Sequence, residues 1–86
     1  MIKKYSTCAE FTHGIYRFKI MHDKVSDEYL YLRFEYRHNI HGGIRPGYWQ
    51  KVIEDRYRCY EEASERMAMQ IYTMMHHPNI NKYPTL

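Results

Sequence analysis

Two stretches of the chain interleave rings and aliphatic groups with cations: Tyr16-Arg17-Phe18-Lys19-Ile20, and Tyr29-Leu30-Tyr31-Leu32-Arg33-Phe34-Glu35-Tyr36-Arg37. Arg17 and Lys19 set against Tyr29, Tyr31 and Arg33 form a constellation suited to single-stranded nucleic acid. Rings stack on bases, at ~1–3 kcal/mol per base, while the cations neutralise phosphates. Ten Tyr against three Phe and one Trp point the same way, because a tyrosine has an apolar ring and a polar tip, as a wet interface needs. The competing readings are a protein contact, since Tyr and Arg are enriched there, and a plain strand surface, since strands favour Tyr.

A second group follows in Arg37-His38-Asn39-Ile40-His41-Gly42-Gly43-Ile44-Arg45, with Lys51 a few residues on. Paired glycines let backbone N–H groups come close to a phosphate, and Arg37, Arg45 and Lys51 supply charge around it. No phosphate-loop motif is matched, and the glycines equally serve as a turn. The residues expected to contact RNA are therefore Arg17, Lys19, Tyr29, Tyr31, Arg33, Arg37, Arg45 and Lys51.

The histidines give little chemistry. His38 and His41 make one H-x-x-H in a loop, and His76-His77 is an adjacent pair near a helix end. Zinc takes four ligands in tetrahedral array, and adjacent helical residues point ~100° apart, so no metal and no cofactor is expected. The chain has no G-x-S-x-G, H-E-x-x-H or glycine-rich phosphate motif. His13, His38 and His41 could be cast as acid and base of a metal-free ribonuclease, but the same casting fits almost any basic, histidine-bearing RNA binder. The expectation is a non-enzymatic protein with no catalytic residues.

Charge is uneven along the 86 residues, whose formal net charge is +3. Residues 1–53 hold nine Lys and Arg against five Asp and Glu, while residues 54–86 hold four against five. A basic half beside a near-neutral half suggests a one-sided footprint for a polyanion. No run approaches the ~20 apolar residues that cross a bilayer, and no apolar core follows the Lys3-Lys4 start, so a secretory signal and a membrane anchor are not expected. Cys8 and Cys59 cannot form a disulfide framework and suit a reducing cytoplasm.

These residues need elements to hold them. One domain spanning 1–86 is expected, of α+β class. Period-two alternation predicts strands at about 5–11, 15–21 and 29–37, with Tyr16, Phe18 and Ile20 inward from one strand and Leu30, Leu32, Phe34 and Tyr36 inward from the next. Arg17, Lys19, Tyr29, Tyr31 and Arg33 then share a wet face. Trp49, Val52, Ile53, Tyr57, Tyr60, Ala63, Met67, Ile71, Met74 and Met75 recur at steps of three and four, predicting one helix over about 48–77, with an extended tail at 78–86. The result is a β-β-β-α unit. Such a helix, at about 45 Å, outruns a three-stranded sheet. The excess predicts a homodimer sharing Trp49, Tyr60, Met67, Ile71 and Met74.

In size, charge, short lysine-bearing start, high Tyr and Met content and aromatic–basic strand pattern, the chain resembles the small early proteins of T-even-type bacteriophages, among them the TifA-type toxin-inhibiting factors. That resemblance implies a dimeric RNA-binding protein of the host cytoplasm that blocks a type III toxin–antitoxin system, in which an RNA antitoxin holds a ribonuclease toxin. The partner it implies is that RNA or the toxin–RNA complex. The alternative class is a phage inhibitor that docks on a host protein, in the manner of anti-CRISPR proteins.

Overall fold

The computed structural model describes residues 4–38 and 47–76. Four strands and one helix follow in chain order: β1 (Tyr5–His13), β2 (Tyr16–Asp23), β3 (Glu28–Arg37), β4 (Tyr48–Tyr57) and α1 (Tyr60–His76). The strands form one antiparallel sheet in the order β1-β2-β3-β4, each beside its neighbour in sequence. The architecture is α+β, an antiparallel sheet with a C-terminal helix, as expected, but with a fourth strand. Among the described residues no helix is long and apolar enough to cross a membrane.

Two short connections set the registers. Gly14 has φ of 59° at the first position of the two-residue loop between His13 and its partner Tyr16. A positive φ there is what a type II′ hairpin turn needs, and glycine adopts it without strain. Between β2 and β3 the four residues 24–27 close onto the pair Asp23 and Glu28. The Asp23 carboxylate accepts from Val25 N at 3.0 Å and Ser26 N at 3.3 Å, and Asp27 N donates to the Asp23 carbonyl at 2.8 Å. Asp27 completes the turn at φ 58°.

The registers decide which face meets the helix. Ile20 lies opposite Tyr31 and Phe18 opposite Arg33, and residues directly opposite share a face. The core accordingly consists of Phe18, Ile20 and Tyr31 from the sheet and Ala63, Met67 and Met74 from α1, with Ala9, Tyr16, Tyr29, Ile53, Tyr57 and Ile71 packed around them. The inward positions of α1 recur at steps of three and four, the stripe of an amphipathic helix.

Three expectations are corrected here. Residues 48–57 form a strand, so the helix begins at Tyr60 and its 17 residues span ~25 Å, not 45 Å. Val52 is an extra residue on β4, since Arg33 pairs with Ile53 while Phe34 pairs with Lys51. That bulge breaks the period-two pattern and brings Trp49, Val52 and Ile53 into helix-like spacing. The β3 faces are also exchanged. Tyr29, Tyr31 and Arg33 lie under the helix, and Leu30, Leu32, Phe34 and Tyr36 lie on the helix-free face. The expected dimer stripe loses two members, since Met67 and Met74 are buried in their own chain's core; Ile71 packs on that core, Tyr60 meets Tyr29 edge-on at 5.9 Å, and Trp49 belongs to β4. The expected loop through Arg45 and the tail at 78–86 lie outside the described residues.

Asp23 gives a pH signature. Burial raises its pKa, but hydrogen bonds from Ser26 and Val25, with Arg56 beside them, outweigh burial and bring it down to about 2. A folded-state value below the unfolded one adds stability that is complete above the unfolded value and is lost as pH falls from about 4 to about 2. Urea unfolding at pH 5, 3 and 2 should show this loss. Asp23→Asn, which keeps one acceptor for the turn, should flatten it.

Candidate functional site

The expected RNA-contacting residues divide between the two sheet faces. Arg17, Lys19 and Lys51 stand on the face that α1 does not cover. Tyr31 is 0% exposed, and its burial pushes the phenol well above its usual pKa range. It offers no ring to a ligand, which overturns its assignment as a stacking platform. Tyr29 is half-buried between His22, at 4.7 Å, and Tyr60.

Arg33 is 8% exposed, and its charge is met inside the protein. One terminal nitrogen donates to Gln70 Oε1 at 3.2 Å and to Met74 Sδ at 3.2 Å; the other lies 3.1 Å from Glu35. A buried guanidinium is tolerable only when paired in this way. Among the described residues its Nε alone has no partner. Arg37 shares Glu35 at 3.0 Å and donates from Nε to Gln50 at 3.0 Å, but remains half-exposed at the sheet end. Arg45 and His41 lie outside the described residues.

The helix-free face carries a different constellation. Arg17 reaches across β3 and stacks its guanidinium on the Trp49 ring at 4.3 Å, a cation–π contact. Trp49 meets Tyr36 edge-on at 5.4 Å. Phe34 is the β3 partner of both Arg17 and Lys51. Tyr36 is held in turn by its hydroxyl, which accepts from Gly47 N at 2.9 Å; a Cβ at Gly47 would run into the Tyr36 ring and the Arg37 carbonyl. Three rings, Phe34, Tyr36 and Trp49, are thus ranged with Arg17, Lys19 and Lys51. Sequence reading assigned Phe34 and Tyr36 to the core and Trp49 to a helix; the signal it passed over was the aromatic and β-branched content of 48–57.

The cations are differently engaged. Arg17 lies 3.6 Å from Glu10, and Lys51 is ion-paired with Glu54, whose carboxyl it holds below the usual range. Lys19 has no ion-pair partner among the described residues. Exposed pairs of this kind contribute only ~0–1 kcal/mol, so a phosphate can recruit Arg17 from Glu10 at small cost.

Further along the same face, Leu30 and Leu32 are 4% and 9% exposed although α1 lies on the other side of the sheet. Tyr5, Met21, Lys51 and Glu54 wall them in, leaving a cavity of about 180 Å³. Among the described residues no three His, Cys, Asp or Glu converge as metal ligands. His13 ends β1, exposed and stacked on Phe11 at 6.4 Å, and His38 meets Tyr36 edge-on at 5.5 Å. Comparison with protein-family models, with curated proteins and with solved structures returns no match.

The two faces should separate in a mutant series. Tyr31→Ala should lower unfolding stability by about 3–5 kcal/mol in urea melts, in the range of buried large-to-small changes. Trp49→Ala and Arg17→Ala should each cost about 1 kcal/mol or less, as half-exposed substitutions do.

Proposed function

We propose that the protein is a non-enzymatic binder of single-stranded RNA, and that the strand lies across the helix-free sheet face. The observation that carries this reading is the Arg17–Trp49–Tyr36–Phe34 cluster flanked by Lys19 and Lys51. A sheet with one face closed by a helix and the other bearing rings on adjacent strands offers stacking platforms for bases. Arg17 and Lys19 stand beside those rings to meet the phosphates, while Lys51 is engaged with Glu54 at their border. The resemblance to TifA-type factors supplies the setting: a phage protein in the host cytoplasm that binds the RNA antitoxin, or the toxin–RNA complex, of a type III toxin–antitoxin system. Self-association belongs to the same reading but moves to the outer side of α1, where Met69, Tyr72 and Met75 are exposed. Sedimentation at micromolar concentration checks it, and a monomer rules it out.

Trp49 is the chain's one tryptophan, so it reports on this face directly. Titrating the protein with single-stranded RNA should quench Trp49 fluorescence and leave the RNA uncut. Two phosphate contacts on a single strand give a slope of log affinity against log salt near −1.4, so a fourfold rise in salt should weaken binding about sevenfold. Arg17→Ala and Lys19→Ala should each reduce the slope by about one contact. Phe34→Ala should lower affinity by about 1–3 kcal/mol with the slope unchanged. Binding that is absent, or indifferent to salt, would transfer the face to a protein partner.

A further inference from the structure

The cavity beside the stacking cluster has a chemistry of its own. Its floor is Leu30 and Leu32, one wall is Tyr5 and Met21, and its polar rim is Lys51 with Glu54. At about 180 Å³ it is smaller than the ~300–1,000 Å³ clefts that hold drug-sized ligands. It suits one flat heterocycle. Its apolar floor favours a ring face. The rim pair brings no net charge, so a neutral ring fits it better than a free anion. Phe34 and Leu32 are two residues apart on β3, about 6.6 Å, which puts the cavity one nucleotide step from the stacking rings.

We propose that this cavity takes a guanine base of the bound strand, with Glu54 accepting from the N1–H and the N2 amine and Lys51 donating to O6. The inference rests on the RNA reading above and adds sequence preference to it. The donor pattern selects the base. A carboxylate has two acceptor oxygens, and guanine alone among the four RNA bases places two donors side by side on its pairing edge. Adenine and cytosine offer a carboxylate one amine flanked by an acceptor. Uracil offers one N–H between two carbonyls. Lys51 has three donors, so it can keep its bond to Glu54 while serving O6. Lys51 also holds the Glu54 carboxyl in its ionised, acceptor-only form at neutral pH.

The test uses uridine oligomers carrying one central G, A, C or inosine, read by Trp49 quenching. A second readout follows the methyl resonances of Met21, Leu30 and Leu32 during titration with GMP, AMP or CMP. The G oligomer should bind about tenfold or more tighter than the A and C oligomers, the discrimination expected of one bidentate pair. Inosine, which lacks only the N2 amine, should lose most of that advantage. GMP should shift the three residues' methyls where AMP and CMP do not, and Glu54→Gln should abolish the preference for G over A. Equal binding of all four oligomers would overturn the guanine site while leaving the RNA reading intact. GMP shifts without any oligomer binding would support the base site and overturn the RNA reading. Neither response would overturn both.

Discussion

The turn at Asp23 decides which residue of β2 lies beside which residue of β3, and the site follows from that pairing. With Asp23 opposite Glu28, Ile20 falls beside Tyr31 and Lys19 beside Leu32. A slip by one residue would exchange the two sets. The tyrosine would come out from under the helix, Leu32 would go in, and Arg33 would lose Gln70 and Met74. The carboxylate that gathers Val25 N and Ser26 N therefore acts well beyond its loop. Arg56, which lies 3.4 Å from Asp23 and 2.9 Å from Glu28, ties β4 to the same corner.

That register leaves the middle of β3, from Leu30 to Arg33, buried on both sides, and the protein treats the two sides differently. Beneath the helix, buried polar groups have partners apart from Arg33 Nε: the Tyr31 hydroxyl faces Gln70 at 3.4 Å, and the terminal nitrogens of Arg33 have Gln70 and Glu35. On the other side, among the described residues, the leucines are bordered by the side chains of Tyr5, Met21, Lys51 and Glu54. Long charged side chains can cover apolar surface while keeping their heads in water. The same side chains thus shelter the sheet and bound the cavity.

The sequence pattern revealed β2 well, because only one of its faces is apolar and alternation picks it out. β3 misled because alternation shows that two faces exist without saying which one the helix takes. Leu30, Leu32 and Phe34 look more like core than Tyr29, Tyr31 and Arg33, and only the loop length selects between them. β4 was hidden by the bulge at Val52, which supplies the three- and four-residue spacing of a helix. Lys51 was grouped with Arg37 and Arg45, while the cations Arg17 and Lys19 were legible as one group. Their aromatic companions were not, since Trp49 was drawn into the misread helix and Phe34 and Tyr36 into the wrong layer.

The plain meander has a consequence for how the chain reaches this structure. Every strand pairs with the one just before it, so each hairpin closes a short loop and costs little chain entropy. The whole sheet is available by Tyr57, before any of α1 is needed. During synthesis, which runs from the N-terminus, both sheet faces are therefore uncovered together, and each presents an apolar β3 surface to the arriving helix. The choice between them falls to Phe18 and Ile20, which thicken one face, and to the cations of β2 and β4, which make the other costly to bury. Burying the surface that Arg17, Lys19 and Lys51 border would mean taking their charges out of water, which disfavours that face for the late helix.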